Sequence, residues 1–450
     1  MTDIDIASFG ALGDGLTDNS AAFAAALNAL RESGGGTLTI GKGVWRTGPI
    51  RVFSHTTLAV EEGAEISFIP EIERYAPVFT RWEGVECYGM HPLVFADGER
   101  GAAVVGKGVL NGNGQVWWDI LRDKRRRDQT RPETPLEMRL AALNPGSSGQ
   151  PSGGGGRNTQ FLRPPLIQFY KCADIRVEDI TLVNSPFWTL HPVFCDRLAV
   201  RNVRISNPPD APNTDGIDID SCRDVMVEGC HVGVGDDGIV LKSGSGEDGL
   251  RVNAPTSNVA VRNCTVKDGH GGIVIGSETA GGIFDVLVED CVFAGTDRGI
   301  RIKTRRGRGG RIRNLSFRRL TMENNLCPLV INMFYRCGAA LSDGFFTQDP
   351  LQAGLTTPSI KNVAISRIRA SRCRASAGFI AGLPEAPIEN LTIRSCEFVT
   401  DETSPARPDE SDMFLGPPPV EGKGFRVLNV KNPDFSDITV TGPREAFIYG

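Results

Sequence analysis

A nine-residue pattern recurs through the middle and end of this chain, and it constrains the fold more than any other feature. It reads DIRVEDITL from Asp174, RLAVRNVRI from Arg197, DVMVEGCHV from Asp224 and NVAVRNCTV from Asn258, then DVLVEDCVF from Asp285, NLSFRRLTM from Asn314, NVAISRIRA from Asn362 and NLTIRSCEF from Asn390. An Asn, Asp or Arg comes first, apolar residues fall near the second, fourth, seventh and ninth positions, and successive starts lie mostly 23 to 34 residues apart. Period-two alternation inside a longer period means short strands, one set per coil, stacked in parallel with their inward residues in ladders. The expected fold is all-β, a right-handed parallel β-helix.

The eleven cysteines fit this reading. Cys230, Cys264, Cys291 and Cys396 fill the seventh slot, which other coils fill with Ile180, Val203, Leu320 and Ile368, so they are expected to be buried, inert thiols. A second register appears in Asp215-Gly-Ile-Asp-Ile, Asp237-Gly-Ile-Val-Leu, Gly271-Gly-Ile-Val-Ile and Arg298-Gly-Ile-Arg-Ile. Ile217, Ile239, Ile273 and Ile300 should stack inward, and the turn residues before each Gly should line up about 4.8 Å apart from coil to coil.

The chain is expected to be one β-helix domain over residues 1–450 with three departures from the repeat. Residues 1–36 should form an N-terminal cap: Thr17 or Asp18 precedes NSAAFAAALNALRES, a helix with Phe23, Leu27 and Leu30 on one face and Gly34 as its stop, suited to covering an open ladder edge. Residues 119–164 read as an inserted loop holding the basic run KRRRDQTR, a short helical piece around Leu136 to Leu143, and SSGQPSGGGG. Residues 405–450 are Pro-rich at their start and read as a C-terminal wrap.

With 40% apolar and 23% charged residues and no run of about 18 apolar residues, no membrane partner is expected. A net charge of -5 excludes the broad basic surface that nucleic acid needs. The start, MTDIDIASFG, lacks the basic and apolar regions of a signal peptide, so the chain as written is expected in the cytoplasm; removal of a signal peptide would place it in the periplasm or outside the cell. Nothing in the sequence sets the oligomeric state.

The column of turns gathers Asp215, Asp236 with Asp237, His270, and one coil on, Arg301 with Lys303. Neighbouring carboxylates repel, which keeps one protonated beside ionised partners, and glycosidic cleavage needs both forms. Taken singly, Asp-Gly is ordinary turn chemistry, a lone His is usually a surface residue and Arg-x-Lys is usually a solvated strand face. Their coincidence at one column is what carries a site.

Asn213-Thr214-Asp215, Gly235-Asp236-Asp237, Gly269-His270-Gly271 and Arg301-Ile302-Lys303 resemble the four signatures of the polygalacturonase family of glycoside hydrolases, family 28. The likeness extends through FGALGDGLTDNS near the N-terminus, TRWEGVE at Thr80, GNGQVWWD at Gly112, NSPFWTLHP at Asn184 and RGRGG after Arg306. The resemblance implies an inverting hydrolase of α-1,4-galacturonosyl linkages, with Asp236 as general acid and Asp215 and Asp237 holding and activating water. It further implies that His270 supports the acid's protonation state, that Arg301 and Lys303 bind the substrate carboxylate, and that Tyr335, in INMFYRC, lines the subsite past the cleaved bond. Asn213 belongs to the first signature and is counted with the substrate-binding residues. The implied partners are polygalacturonate or oligogalacturonides, and no cofactor or metal is expected. As outward strand positions, Arg301 and Lys303 should matter to binding rather than to folding.

From Arg298 to Arg319 the chain carries about ten basic residues and no acidic one, which suits an acidic substrate through the bidentate fork of Arg. TRWEGVE and RGRGG look more like bacterial exo-acting members than endo-acting ones, and the 119–164 insertion is material for blocking one end of a groove. Three rivals stand beside this reading: a pectate-type lyase on a similar β-helix using Ca²⁺, an endo-acting or rhamnogalacturonan-type hydrolase of the same family, and a non-catalytic carbohydrate-binding β-helix.

Overall fold

The computed structural model describes residues 2–146, 149–150, 153–411, 413–414 and 422–449. The chain divides into two compact units, residues 1–82 with 86–235, and residues 83–85 with 236–450. Each is a stack of coils whose strands pair in parallel with the equivalent strands of the coils above and below.

In the first unit one stack runs Ile50–Arg51, Val94–Asp97, Ile167–Tyr170, Leu190–Val193 and Ile217–Asp220. A second holds Ala103–Val105, Ala173–Glu178, Asp196–Arg201 and Arg223–Glu228. In the second unit the row that bears candidate site residues, the chemical row, is Asp237–Lys242, Gly271–Gly276, Arg298–Lys303 and Cys327–Asn332, in the register Asp237 to Gly271 to Arg298 and Ile239 to Ile273 to Ile300. Beside it stand Thr256–Arg262, Ile283–Glu289, Arg311–Arg318 and Ser359–Ser366. Parallel sheets stacked this way make a β-helix, as the nine-residue period requires.

The first slot of the pattern has a backbone cause. Asp174, Arg197, Asp224, Asn258, Asp285, Asn314, Asn362 and Asn390 all adopt φ between 53° and 58°, the left-handed region that Asn and Asp tolerate best. The coil bends there, and in the last three coils the side chains form a ladder: Asn314 donates to Asp285 at 2.9 Å, Asn362 to Asn314 at 3.1 Å and Asn390 to Asn362 at 2.9 Å. The sixth slot bends the same way, at Asp179, Asn202, Gly229, Asn263 and Asp290. Between the bends the apolar slots are buried, and the four seventh-slot cysteines are buried free thiols.

The first helix spans Ser20–Glu32 and buries Phe23, Leu27 and Leu30. The Asp18 carboxylate accepts the Ser20 N–H at 3.0 Å, and Gly34 ends the helix at φ 85°. The 119–164 segment differs from the expected loop. Its basic run closes a helix, Gln115–Arg126, that begins ahead of Asp119 and buries Trp117, Trp118, Leu121 and Lys124. Lys124, Arg125 and Arg126 fill its last turn, where the helix dipole favours cations, so a cluster that looks like solvated loop in sequence is a helix terminus. A second helix, Pro135–Leu143, starts on a Thr134–Glu137 capping box, and Glu137 and Glu133 accept from Lys124 at 3.1 and 3.0 Å. Within SSGQPSGGGG, Ser147, Ser148, Pro151 and Ser152 lie outside the described residues. The end of the chain also differs from a wrap: Phe425–Leu428, Asp434–Thr441 and Phe447–Tyr449 add strands to the stacks of the second unit.

Candidate active site

In the second unit the residue just before each of the first three strands of the chemical row is Asp236, then His270, then Asp297. Backbone bonds hold this column: the His270 N–H donates to the Asp236 carbonyl at 2.8 Å and the Asp297 N–H to the Gly269 carbonyl at 2.9 Å. Asp236 is half-buried, and its Oδ1 accepts the Asp237 N–H at 2.9 Å. Asp237, the first residue of its strand, is buried.

Asp237 is clamped from two coils away. Arg301 Nη1 donates to its Oδ1 and Lys303 Nζ to its Oδ2, each at 2.6 Å. The intervening strand makes room through Gly271, where a Cβ would lie 2.5 Å from Val274 Cγ2, 3.0 Å from Asp237 Oδ1 and 3.4 Å from Arg301 Cδ. The second glycine of Gly269-His270-Gly271 is therefore a spacer for an ion pair. Burial alone would raise the Asp237 carboxyl, but the charges of Lys303 and then Arg301 outweigh it and hold the group far below its ordinary value.

Arg301 and Lys303, expected at solvated strand positions, are only 4% and 7% exposed. The reason lies on both sides of them: Asp237 takes their charge, and the ring of the buried Tyr335 lies 5.6 Å from the Arg301 guanidinium and 5.2 Å from the Lys303 ammonium. Removing either cation therefore acts on folding, since it strands a buried partner. The expected single basic face from Arg298 to Arg319 is divided too. Arg306 pairs with Glu385 at 2.6 Å, while Arg318 and Arg319 pair with Glu289 and Asp290, because strand alternation and the following turns send these side chains in different directions.

His270 is half-exposed, and its Nδ1 faces Asp297 Oδ2 at 2.8 Å. That bond raises the imidazole above its ordinary value; burial opposes, and Asp236 and Asp237 add to the rise. Arg298 Nη1 stands 3.3 Å from the same Asp297 oxygen. Sequence reasoning passed over Asp297 although it continues the column of Asp236 and His270 by one coil. It also passed over Lys242 and Glu278, a buried pair at 3.2 Å. Glu278 is raised by burial but brought down to about 2 by Lys242, then Arg308 and Lys303.

In the first unit Asn213 sits at φ 55°, and its side-chain oxygen accepts from Arg163 at 2.7 Å and from Arg125 at 3.5 Å. Arg163 is fully buried and also donates to the Pro186 and Pro212 carbonyls. Asp215 is buried, and its carbonyl accepts the Thr189 N–H at 2.8 Å. Two of the quoted stretches meet in the same unit: Arg81, from TRWEGVE, donates to Asp220 at 2.9 Å, and His191, from NSPFWTLHP, lies 3.7 Å from Asp220.

The family model described as "Glycosyl hydrolases family 28" matches residues 146–399, more than half of the chain. A probable polygalacturonase of Vitis vinifera is 30% identical over 328 residues, which is 71% of this chain and 60% of that protein. The crystal structure of a hyperthermoactive exopolygalacturonase from Thermotoga maritima superposes with a TM-score of 0.80 at 30% identity, over 99% of this chain and 93% of that one. A family 28 exopolygalacturonase of Yersinia enterocolitica shares the fold, with a TM-score of 0.73 at 19% identity over 100% of this chain and 77% of that one. The chain spans about 60% of the length of the curated plant relatives it matches. With the family model, the Thermotoga structure and the β-helix in agreement, the chain belongs to glycosyl hydrolase family 28.

Proposed function

We propose that the protein hydrolyses α-1,4-galacturonosyl linkages of polygalacturonate or oligogalacturonides, with inversion, and releases units from a chain end. The observation that carries the reading is the clamp on Asp237. A carboxyl held so far below its ordinary value stays ionised at working pH, so Asp237 is a base that holds water and cannot be the acid. The half-buried Asp236 beside it takes the acid's role, and the family signatures imply a part in activating the water for Asp215 as well. The column His270–Asp297 places a cation-prone imidazole next in line after Asp236. Arg301 and Lys303 each retain donors beyond those given to Asp237, and these receive the uronate carboxylate.

Action from a chain end is supported by the exo-acting Thermotoga relative and by the insertion, whose first helix sends Arg125 toward Asn213. An endopolygalacturonase of Pectobacterium carotovorum is also similar, at 25% identity over 304 residues, so products must decide. Polygalacturonate should yield monomer from the earliest time points; an early ladder of oligomers would make the enzyme endo-acting. Products absorbing in the ultraviolet and lost in chelator would make it a lyase.

A further inference from the structure

A groove of about 590 Å³ opens in the second unit and shares no lining residue with the candidate active site. Its volume falls within the roughly 300–1,000 Å³ typical of small-molecule sites. Its walls include Phe284, Arg311, Arg313, Ser359 and the Gly354–Thr357 turn. The RGRGG segment, so far without a role, helps to build it. The Gly307 and Gly309 N–H groups both donate to the Thr356 carbonyl, at 2.9 and 3.0 Å, and so hold that turn in place. Gly310 lies at φ 85°, where a Cβ would come within 1.6 Å of the Thr279 carbonyl oxygen, so no other residue fits.

The charge of this groove is uncompensated. Arg311 and Arg313 project from one face of their strand and are exposed. Further along the same strand Arg318 has Glu289 as its partner, yet Arg311 and Arg313 make no ion pair among the described residues. No acidic residue among the described residues lines the groove. Another groove of the second unit, with Arg319, Arg367 and Arg369, contains Glu397 and Asp437 and so supplies its own counter-charge. The Arg313 guanidinium rests over the Phe284 ring at 4.9 Å, which orients it without using up a hydrogen-bonding edge. Leu355, 90% exposed, adds apolar surface to the same lining.

We propose that this groove is a second carbohydrate-binding site, separate from catalysis, that takes a uronic-acid oligosaccharide. Arg311 and Arg313 bind its carboxylates, Leu355 and Phe284 receive the apolar face of a sugar ring, and Thr357 and Ser359 offer hydroxyl partners. The choice of a uronide rests on the proposed activity; the demand for an anion with apolar faces rests on the groove alone.

The test uses the full-length chain carrying Asp236→Asn, run in native gels with embedded polygalacturonate, with and without Arg311→Ala/Arg313→Ala. Retention should weaken about tenfold in the variant lacking both arginines, while Arg311→Lys/Arg313→Lys, which keeps charge but loses the fork, should fall between. In an otherwise active chain, Arg311→Ala/Arg313→Ala should leave hydrolysis of trigalacturonate unchanged, which also shows that the variant folds. Equal retention with and without the arginines overturns the proposal. Retention of equal strength in polyglutamate gels, lost with the same arginines, overturns the uronide and identifies an acidic-peptide site. Failure of the wild type to hydrolyse any galacturonide sinks the activity instead, and leaves the retention comparison to judge the groove.

Discussion

The second unit contains two sets of ion pairs of similar bond length and opposite meaning. On its outer sheet Glu289 forms an ion pair with Arg262 at 2.8 Å and accepts from Arg318 at 2.7 Å and Arg319 at 2.6 Å, and Asp290 accepts from Arg319 at 2.7 Å. In the chemical row Asp237 accepts from Arg301 and Lys303 at 2.6 Å. The outer arginines are between 37% and 44% exposed, so water already solvates them and the pairing adds little. The inner charges are almost out of water, so each needs the other, and losing one strands its partner. Distance alone does not distinguish a decorative pair from an essential one; burial does.

The largest expected effect separates chemistry from stability inside the inner set. Asp236→Asn should lower turnover on an unactivated galacturonide roughly a hundredfold or more, with thermal unfolding unchanged. The Asn oxygen still accepts the Asp237 N–H, and Asp236 has no ion pair to lose among the described residues. Near-wild-type turnover would remove Asp236 from the role of acid.

Next in size is Arg301→Ala, which should cost about 3–5 kcal/mol of stability by leaving Asp237 with one cation, together with most activity. The sign in pH follows from the depressed carboxyl. The clamp's contribution is fully present above the ordinary aspartate value of 3.8 and is lost as pH falls through the lower folded value. Urea unfolding of wild type and variant should therefore differ most near neutrality and converge in acid. A variant as stable as wild type at pH 7 would mean that the buried pair is decorative after all.

How much of this contrast is legible in the sequence depends on which atoms set it. The nine-residue period gives the strands because alternation and left-handed bends at Asn and Asp are local properties, visible at Asp174 or Asn314 alone. Cys230 and Cys264 read correctly as core because they share a slot with Ile180. Arg301 and Lys303 read wrongly as exposed, because what buries them, Asp237 and Tyr335, reaches them from other coils. Gly271, which lets Asp237 through, looks in sequence like one more turn glycine. Asp297 was within reach, since one more step down the Asp236–His270 column arrives at it. The helix at Gln115–Arg126 was hidden by its own charges, whose meaning depends on where the dipole ends.

A subtler test concerns Asp297→Asn. The hydrogen bond from His270 to Asp297 is the largest cause of the raised imidazole, so its loss as an anion should bring His270 down. The pair stabilises the protein most fully below the ordinary histidine value of 6.5, and that contribution is lost as pH rises through the raised folded value. If protonated His270 supports the acid, the alkaline limb of kcat/KM should move to lower pH in Asp297→Asn, with several-fold loss above neutrality and little at acid pH. A profile that drops uniformly would make Asp297 a structural prop for the turn and nothing more.

The smallest expected effect is on the outer sheet, and it tests the comparison most directly because the geometry there is as good as in the inner set. Arg319→Ala removes short bonds to both Asp290 and Glu289. Glu289 is itself buried, which at first suggests a large loss, but Arg262 and Arg318 remain on it and keep its charge compensated. Asp290 is 43% exposed and turns to water. Arg319 also occupies a left-handed bend at φ 53°, a conformation as costly for Arg as for Ala, so the backbone contributes no difference. The variant should unfold at a midpoint indistinguishable from wild type at physiological salt, and raising salt to about 1 M should leave both unchanged relative to one another because screening has little left to remove. A loss in Arg319→Ala comparable with that in Arg301→Ala would show that the outer ladder acts as one cooperative network, and burial would no longer be the property that ranks these pairs.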